Sequence, residues 1–567
     1  MQKSTRCLFV LMIILLPGSA VNRLFAQDLS QIGKGKAVRM SGTMSLQGGP
    51  YIYLGDGQAR NEPFWWMAQG NPVLSIYGWQ LPFSFSVGSQ HRAFNQPFNR
   101  FGVSPFYKWA TFHFGYRSMR FNPYVMSGLQ FLGAGVELNP KGFRFAAFYG
   151  RFAKPVRQDT LASITPDPAY RRMGYGVKVG AGSRRNYVDL MLFRAWDDTT
   201  SIPALSPSAE IAPQENLAVG LSTRLSFTKR LHFRLEMAGS FLNRDTRLAV
   251  LDTLDEINPI KNLFTPKIGG QLLTAGNASL QYNLKAVSLR LTYKRVDPDY
   301  RSLGAFYQQS DLQSLTLDPS FRMFRNKFRL SGSIGRQQDN LYRRKSFTSL
   351  RTIGSATATY APSKEYSISA SMANYGIQQQ AGLQVLNDTF RVAQANRSVS
   401  LSQNISRSDK KRVVNLNTTI SYQQLQDLNP FNTYSSSENT VWFANIYVNR
   451  VRLKDNLNLN GGINISHNTF ASGNFILAGP SLGASKPIKN NKIVLNGNLN
   501  YNLGFQNGNR SGSTLNLYTG ASWQVSRSHQ FTVTLNTLHN STNYLSSGKF
   551  TEIRLLAGYV LLFQPKS

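Results

Sequence analysis

Cysteine is almost missing. Cys7 is the one example in 567 residues, and it heads the apolar run 7–17. Lys3 and Arg6 precede that run, and small residues follow it through Ala20. The pattern is that of a secretory leader, with cleavage expected after Ala26, or after Ala20 as the alternative. The run is shorter than the ~20 residues a membrane helix needs. Residues 1–26 are therefore expected to be removed, which leaves a mature chain without thiol or disulfide chemistry. Acid is scarce too, with 28 Asp and Glu against 63 Lys and Arg, a formal charge of +35. Such a balance invites a nucleic-acid partner, but the bases are spread along the chain and not gathered on one helix or stripe, so none is expected.

Chemistry-bearing clusters are equally thin. The six histidines, His91, His113, His232, His467, His529 and His539, show no i,i+2 or i,i+4 pairing, so no metal site and no cofactor is expected. Gly479-Pro480-Ser481-Leu482-Gly483 fits the spacing of a nucleophile elbow. That motif needs a tight strand-to-helix turn, whereas here it lies within strand-like sequence, with proline next to the serine. No enzymatic activity is expected. Gly133, Gly135, Gly174, Gly176, Gly180 and Gly182 suit curved strands better than a phosphate-binding loop.

Long apolar runs are absent beyond the leader, and the mean hydropathy is negative. A soluble chain of this length would be several domains, yet no linker-like change of composition divides it. What is present is alternation. In 287–294, Val287, Leu289, Leu291 and Tyr293 fall on one face, with Ser288, Arg290, Thr292 and Lys294 on the other. In 493–503, Ile493, Leu495, Leu499, Tyr501 and Leu503 oppose Asn496, Asn498, Asn500 and Asn502. Successive strand side chains point to opposite faces, so each segment has an oily and a wet side. Repeated strand after strand, this predicts an all-β fold: a large antiparallel transmembrane β-barrel of 24 or 26 strands, oily outside and wet within. The counted strands come to about 25, and a barrel whose two ends lie on one side requires an even number. The weak stretch is 90–128, where Asn95, Pro97, Asn99, Pro105 and Pro123 interrupt the pattern.

The turns alternate between short and basic and long and polar. Lys141, Arg184, Arg185, Lys229, Arg230, Lys410, Lys411, Arg412 and Lys454 lead the cations of the short turns, every one of which is expected to carry at least one. Long connections hold more acid, including Asp197, Asp198, Asp252, Asp255 and Glu256. Short turns of outer-membrane barrels are periplasmic, so both termini are expected there, with a basic ring against lipid headgroups. Phe143, Phe233, Phe328, Tyr366 and Phe531 near short turns, and Tyr293, Tyr422 and Phe505 near the far ends, are placed as two interfacial girdles. The expected division is a leader 1–26, a lead 27–37, a barrel 38–563 and a tail 564–567. A lead of that length has no room for a globular plug ahead of the barrel.

The polar faces give the candidate pore lining: His113, Arg117, His232, Arg234, Glu236, Arg290, Lys294, Lys327 and Arg329 on one side, and Ser, Thr and Asn on the other. An interior basic on one side and uncharged on the other favours anions or neutral polar solutes.

Ser75-Ile76-Tyr77-Gly78-Trp79, Leu81-Pro82-Phe83-Ser84-Phe85-Ser86, Gln96-Pro97-Phe98-Asn99 and Ser104-Pro105-Phe106-Tyr107-Lys108-Trp109 carry a resemblance. So do Gly115-Tyr116-Arg117-Ser118-Met119, Phe131-Leu132-Gly133-Ala134-Gly135-Val136-Glu137 and Arg172-Met173-Gly174-Tyr175-Gly176. Over its first third the chain resembles a family of plug-free, porin-like outer-membrane barrels of Bacteroidetes-type bacteria. Gly558-Tyr559-Val560-Leu561-Leu562-Phe563 is similar to a closing strand read by the barrel-assembly machinery, although Leu556 stands where a polar residue is usual and four residues follow the terminal aromatic. The resemblance implies fold and location and carries no catalytic residues. The expected partners are outer-membrane lipids, the assembly machinery and a periplasmic or surface protein. The function expected first is a porin-like channel; a structural or secretion-associated barrel is the alternative.

Overall fold

The computed structural model describes residues 38–55, 59–89, 100–157, 168–183, 185–202, 211–251, 263–305, 309–345, 347–381, 393–427, 438–541 and 549–563. The expected leader, lead and tail lie outside these. The described chain forms a closed antiparallel barrel of 26 strands, opening with Val38–Gly55 and ending with Phe550–Phe563. The first and last strands pair from Gly42↔Phe563 to Gly55↔Phe550, so no sheet edge is left. Closure is what hydrocarbon demands, because an unpaired backbone group there costs several kcal/mol.

Strand number depends on two prolines. Phe64–Gly70 and Val73–Ile76 are one wall strand broken at Asn71-Pro72, and both halves pair with the first strand. Arg100–Val103 and Phe106–Tyr107 are likewise one strand broken at Ser104-Pro105. Proline has no N–H to give a ladder, so each marks a break. Five wall strands therefore precede Phe131–Leu138. That odd number puts the first strand's start and the last strand's end at the same rim as the short turns, which sets the total at 26 and not 24.

Register carries one face continuously round the cylinder. Asn500 stands opposite Ser481 on one neighbour and Asn516 on the other, and Leu499 opposite Leu482 and Leu517. The leucine face is the exposed apolar one, with Leu190, Val219, Leu272, Leu291, Ile463 and Leu482 on its surface. That belt faces lipid, and the fold is that of an outer-membrane β-barrel. Phe143, Phe233, Phe328, Tyr366 and Phe531 all fall on the outward face near the short-turn rim, as expected. Trp523 and Tyr559 join Phe531 there, with ring centroids 6.2 and 5.0 Å from it.

The turns depart from expectation in two ways. Tyr77-Gly78, a two-residue hairpin at the short-turn rim with both φ positive (44° and 88°), carries no cation. At the opposite rim, 471–472 and Asn507-Gly508 are also two-residue connections, so long loops do not alternate throughout. Asn507 and Gly508 have φ of 50° and 82°. Asn-Gly suits that geometry because both central residues of such a turn must be left-handed.

The main apolar core lies inside the barrel, which alternation does not predict. Segment 118–130, between Ala110–Arg117 and Phe131–Leu138, folds against the inner wall together with segment 297–305. The two pair in parallel at Gly304↔Met126 and Ala305↔Ser127. Met119, Phe121, Tyr124, Val125, Met126, Tyr300 and Leu303 are buried there against Phe131, Phe148, Met191 and Phe193 of the wall. Each such apolar side chain contributes about 1.5–3 kcal/mol on burial. Some glycines expected only to curve strands make room for this insert. A Cβ on Gly220 would lie 2.5 Å from Val125 Cγ2, and one on Gly135 2.7 Å from Met119 Sδ.

Candidate functional site: the barrel interior

The insert is pinned by buried amides. Asn122 Nδ2 donates to the wall carbonyls of Met237 and Leu221, at 3.0 and 3.4 Å. Its Oδ1 accepts the N–H groups of Tyr124 and Val125, at 2.7 and 3.0 Å. From the wall, Asn216 Nδ2 donates to Ser240 Oγ (2.7 Å) and its Oδ1 accepts Leu303 N–H (3.0 Å). Ser302 Oγ donates to the Val125 carbonyl at 2.6 Å, and Tyr300 Oη to the Tyr124 carbonyl at 2.8 Å, tying the two segments together. Buried polar groups without partners are costly, so this satisfied network fixes one position for the insert. Tyr124 Oη donates to Asn277 Oδ1 of the wall at 3.1 Å. Burial, helped by the charge of Glu236, pushes the Tyr124 hydroxyl up to about 12. Burial, with Tyr124 beside it, raises Tyr300 as well. At the root of the second segment, burial opposes ionisation of Asp297. The hydroxyl and N–H of Thr274 outweigh it and hold that carboxyl below the usual range. At Asp311 burial is outweighed in the same way by Lys345 and by Leu341 N–H.

Of the expected pore-lining residues, His113, Arg117, His232, Arg234, Glu236, Arg290, Lys294 and Arg329 fall on the inward face by register. Lys327 does not: it stands exposed in the turn between Leu312–Met323 and Phe328–Gln338, whose residues Phe324, Arg325 and Asn326 are left-handed. Several of these side chains have acidic or polar partners in place. Arg234 pairs with Glu236 at 2.6 Å, and His113 Nε2 lies 3.6 Å from Glu137. Arg144, which alternation did not single out, makes a two-pronged pair with buried Asp189, at 2.7 and 2.9 Å. Arg290 donates to Gln281 Oε1 at 2.9 Å, and His232 Nδ1 shares a hydrogen bond with Ser226 Oγ at 2.9 Å. The basic side is therefore less positive than the residue list suggests. The interior residues missed by sequence are Asn122, Asn216, Arg144 and Asp189. For Asn122 the one signal was its connection, 118–130, which carries Phe121, Tyr124, Val125 and Met126.

The opposite half of the interior is uncharged over long stretches. Asn404 donates to Asn417 at 2.5 Å, Asn445 to Asn464, and Ser371 shares a hydrogen bond with Ser400 at 2.6 Å. The side-chain carbonyls of Asn449, Asn458, Asn498 and Asn516 have no protein partner among the described residues. Ser481 of the Gly-x-Ser-x-Gly string is an ordinary inward residue of the strand Gly473–Ile488.

At the short-turn rim, Arg412 pairs with Asp409 (3.2 Å) and Arg452 with Asp455 (2.7 Å). The Arg452 guanidinium holds the Asp455 carboxyl down to about 2. Lys141, Arg185, Lys229, Arg230, Lys410, Lys411 and Lys454 make no ion pair among the described residues. Arg184 lies outside them. At the far rim the acids are met by arginines: Asp197 by Arg172 at 2.7 Å, and Asp198 by Arg171.

No protein-family model matches the chain, and no curated protein does. Among solved structures it is similar to the FrpB iron transporter from Neisseria meningitidis, at 10% identity over 95% of this chain and 83% of that one, with a TM-score of 0.34. It is similar to the ferric citrate transporter FecA in its unliganded form, at 8% identity over 93% and 79%, with a TM-score of 0.38. It is also similar to OccK1 (OpdK) of Pseudomonas aeruginosa, at 11% identity over 62% and 92%, with a TM-score of 0.30. At such identities the likeness is one of architecture.

Proposed function

We propose that the protein is a passive outer-membrane channel for small anionic or neutral polar solutes, narrowed on one side by its folded-in insert. The observation that supports this reading is the uncharged half of the interior. Asn, Ser and Thr face inward from Tyr366–Ala381 through His529–Asn540. Such a wall exchanges hydrogen bonds with water and with solute hydroxyls at little net cost. Cations without acidic partners among the described residues, Arg117 and Lys294 included, bias the same space towards anions.

Planar-bilayer recording tests this. The proposal expects a stable open conductance, with a reversal potential that favours the anion under a salt gradient. A closed barrel, or one that prefers cations, overturns it. A second reading, a structural or secretion-associated barrel that binds a partner protein, is favoured by the unneutralised lysines at one rim. It expects little conductance and a periplasmic or surface protein retained on purification from native membranes. We read the short-turn rim and both termini as periplasmic, the leader 1–26 as cleaved, and lipid headgroups and the barrel-assembly machinery as partners. Membership of the Bacteroidetes-type family is proposed on the motifs of the first third. No enzymatic activity is proposed.

A further inference from the structure

A recess of about 300 Å³ opens on the inner wall where the insert leaves it, bounded by the strands Trp79–Gly88, Arg100–Val103 and Ala110–Arg117. Its lining contains Arg100, Arg117 and His113, hydroxyls including Ser84, Ser86 and Ser104, and no carboxylate. Arg117 is committed on one side only. Nη1 donates to Ser84 Oγ at 2.6 Å and Nη2 to the Pro82 carbonyl at 3.4 Å, while its buried Nε has no partner among the described residues. Arg117 makes no ion pair among those residues either. Arg100 Nη1 donates to Gln130 Oε1 at 2.6 Å, which fixes that guanidinium beside the first. His113 is held by Ser104 Oγ on Nδ1, at 3.0 Å. Glu137 stands behind it, 3.6 Å from Nε2 and outside the lining of the recess.

A half-buried guanidinium that lines a recess without a carboxylate carries a charge that only a bound anion would compensate there. The group that matches planar N–H donors with hydroxyls around them is an oxyanion. We propose that this recess is a binding subsite for the carboxylate or phosphate group of a small solute, with Arg117 and Arg100 as the charged contacts and Ser84 and Ser86 as hydroxyl donors. The size is at the lower end for a small-molecule site. The recess faces the interior beside both ends of the insert, Ser118 and Gln130, so a solute passing the insert meets it. This deepens the channel reading, because only a wet interior delivers a solute there.

The test is calorimetric titration of the full barrel in detergent with succinate, inorganic phosphate and dimethyl succinate. Binding of succinate or phosphate, with no binding of the neutral ester, supports the subsite; which of the two binds more tightly names the group. Arg117→Gln and Arg100→Gln should each weaken that binding about tenfold or more. Circular dichroism and heat-dependent gel mobility show that each variant is folded. Equal binding of the ester, absence of oxyanion binding, or unchanged affinity in both folded variants overturns the proposal. Because binding is read in detergent, it stands apart from conductance. A non-conducting barrel that binds succinate sinks the channel reading alone, and a conducting barrel that binds neither oxyanion sinks the subsite alone.

Discussion

Replacing Asn122 by alanine removes four hydrogen bonds from a fully buried residue: two to wall carbonyls, and two from the amides of Tyr124 and Val125. At about 1 kcal/mol each the loss is about 4 kcal/mol, and the two amides left buried without acceptors add to it. About 4 kcal/mol corresponds to roughly a thousandfold change in the ratio of docked to undocked insert. The wall itself is untouched, because its ladders run strand to strand and do not pass through the insert. Hydrogen exchange at Tyr124 and Val125 should therefore accelerate by up to that factor, while exchange in Gly142–Ala153 and Tyr187–Asp198 stays slow. Single-channel records should show larger or more frequent openings. Asn122→Asp sets a carboxylate against the Met237 and Leu221 carbonyls in a fully buried site, so it should undock the insert at least as strongly as alanine does. If both exchange and conductance are unchanged in Asn122→Ala, the amide does not hold the insert and this account of the interior is wrong.

Arg144→Met leaves Asp189 buried and unpaired, which should cost about 3–5 kcal/mol and lower the temperature of heat-dependent gel mobility. Docking of the insert should be flat through neutral pH. Asp297 and Asp311 have carboxyls held below their unfolded value of 3.8, so their contribution is present above that pH and is lost as pH falls through the folded values. Tyr124 is raised from 10.0 to about 12, so its contribution is present below pH 10 and is lost as pH rises towards about 12. Exchange at Val125 measured across pH, corrected for the intrinsic rate, should rise at both ends only; a transition near neutrality would contradict this. In intact cells a cysteine at Lys410 should react with an impermeant reagent only after the outer membrane is permeabilised, and reaction beforehand would reverse the assigned orientation.

How much of this was legible in sequence depends on whether a strand's two faces differ. In Ile493–Gln506 leucine and asparagine take opposite faces, and the register agrees up to a shift at Gly504/Phe505 against Asn509–Gln524. In Gly142–Ala153 the inward face carries Ala146, Phe148 and Phe152 and the outward face Phe143, Phe145 and Tyr149, so both sides read as apolar. The contrast fails there because the inner side meets protein and not water. Pro72 and Pro105 were visible, but a break that leaves a wall strand continuous looks the same in sequence as a loop between two strands. Asn122 and Asn216 could not be distinguished from the many lining asparagines, since only tertiary contact decides which amide is buried. Lys327 shares the parity of inward Arg329 but precedes the strand's first residue, and a turn of three left-handed residues placed it at the rim.

The central claim is tested most directly by two neighbouring cysteines in one strand, made in a chain whose own Cys7 is replaced by serine. Asn498→Cys should react rapidly with a charged, water-soluble thiol reagent in reconstituted vesicles. Leu499→Cys should resist it and yield instead to a lipid-soluble reagent. Equal reaction at both positions, or the reverse order, would contradict a wall with lipid on the leucine side and water on the asparagine side.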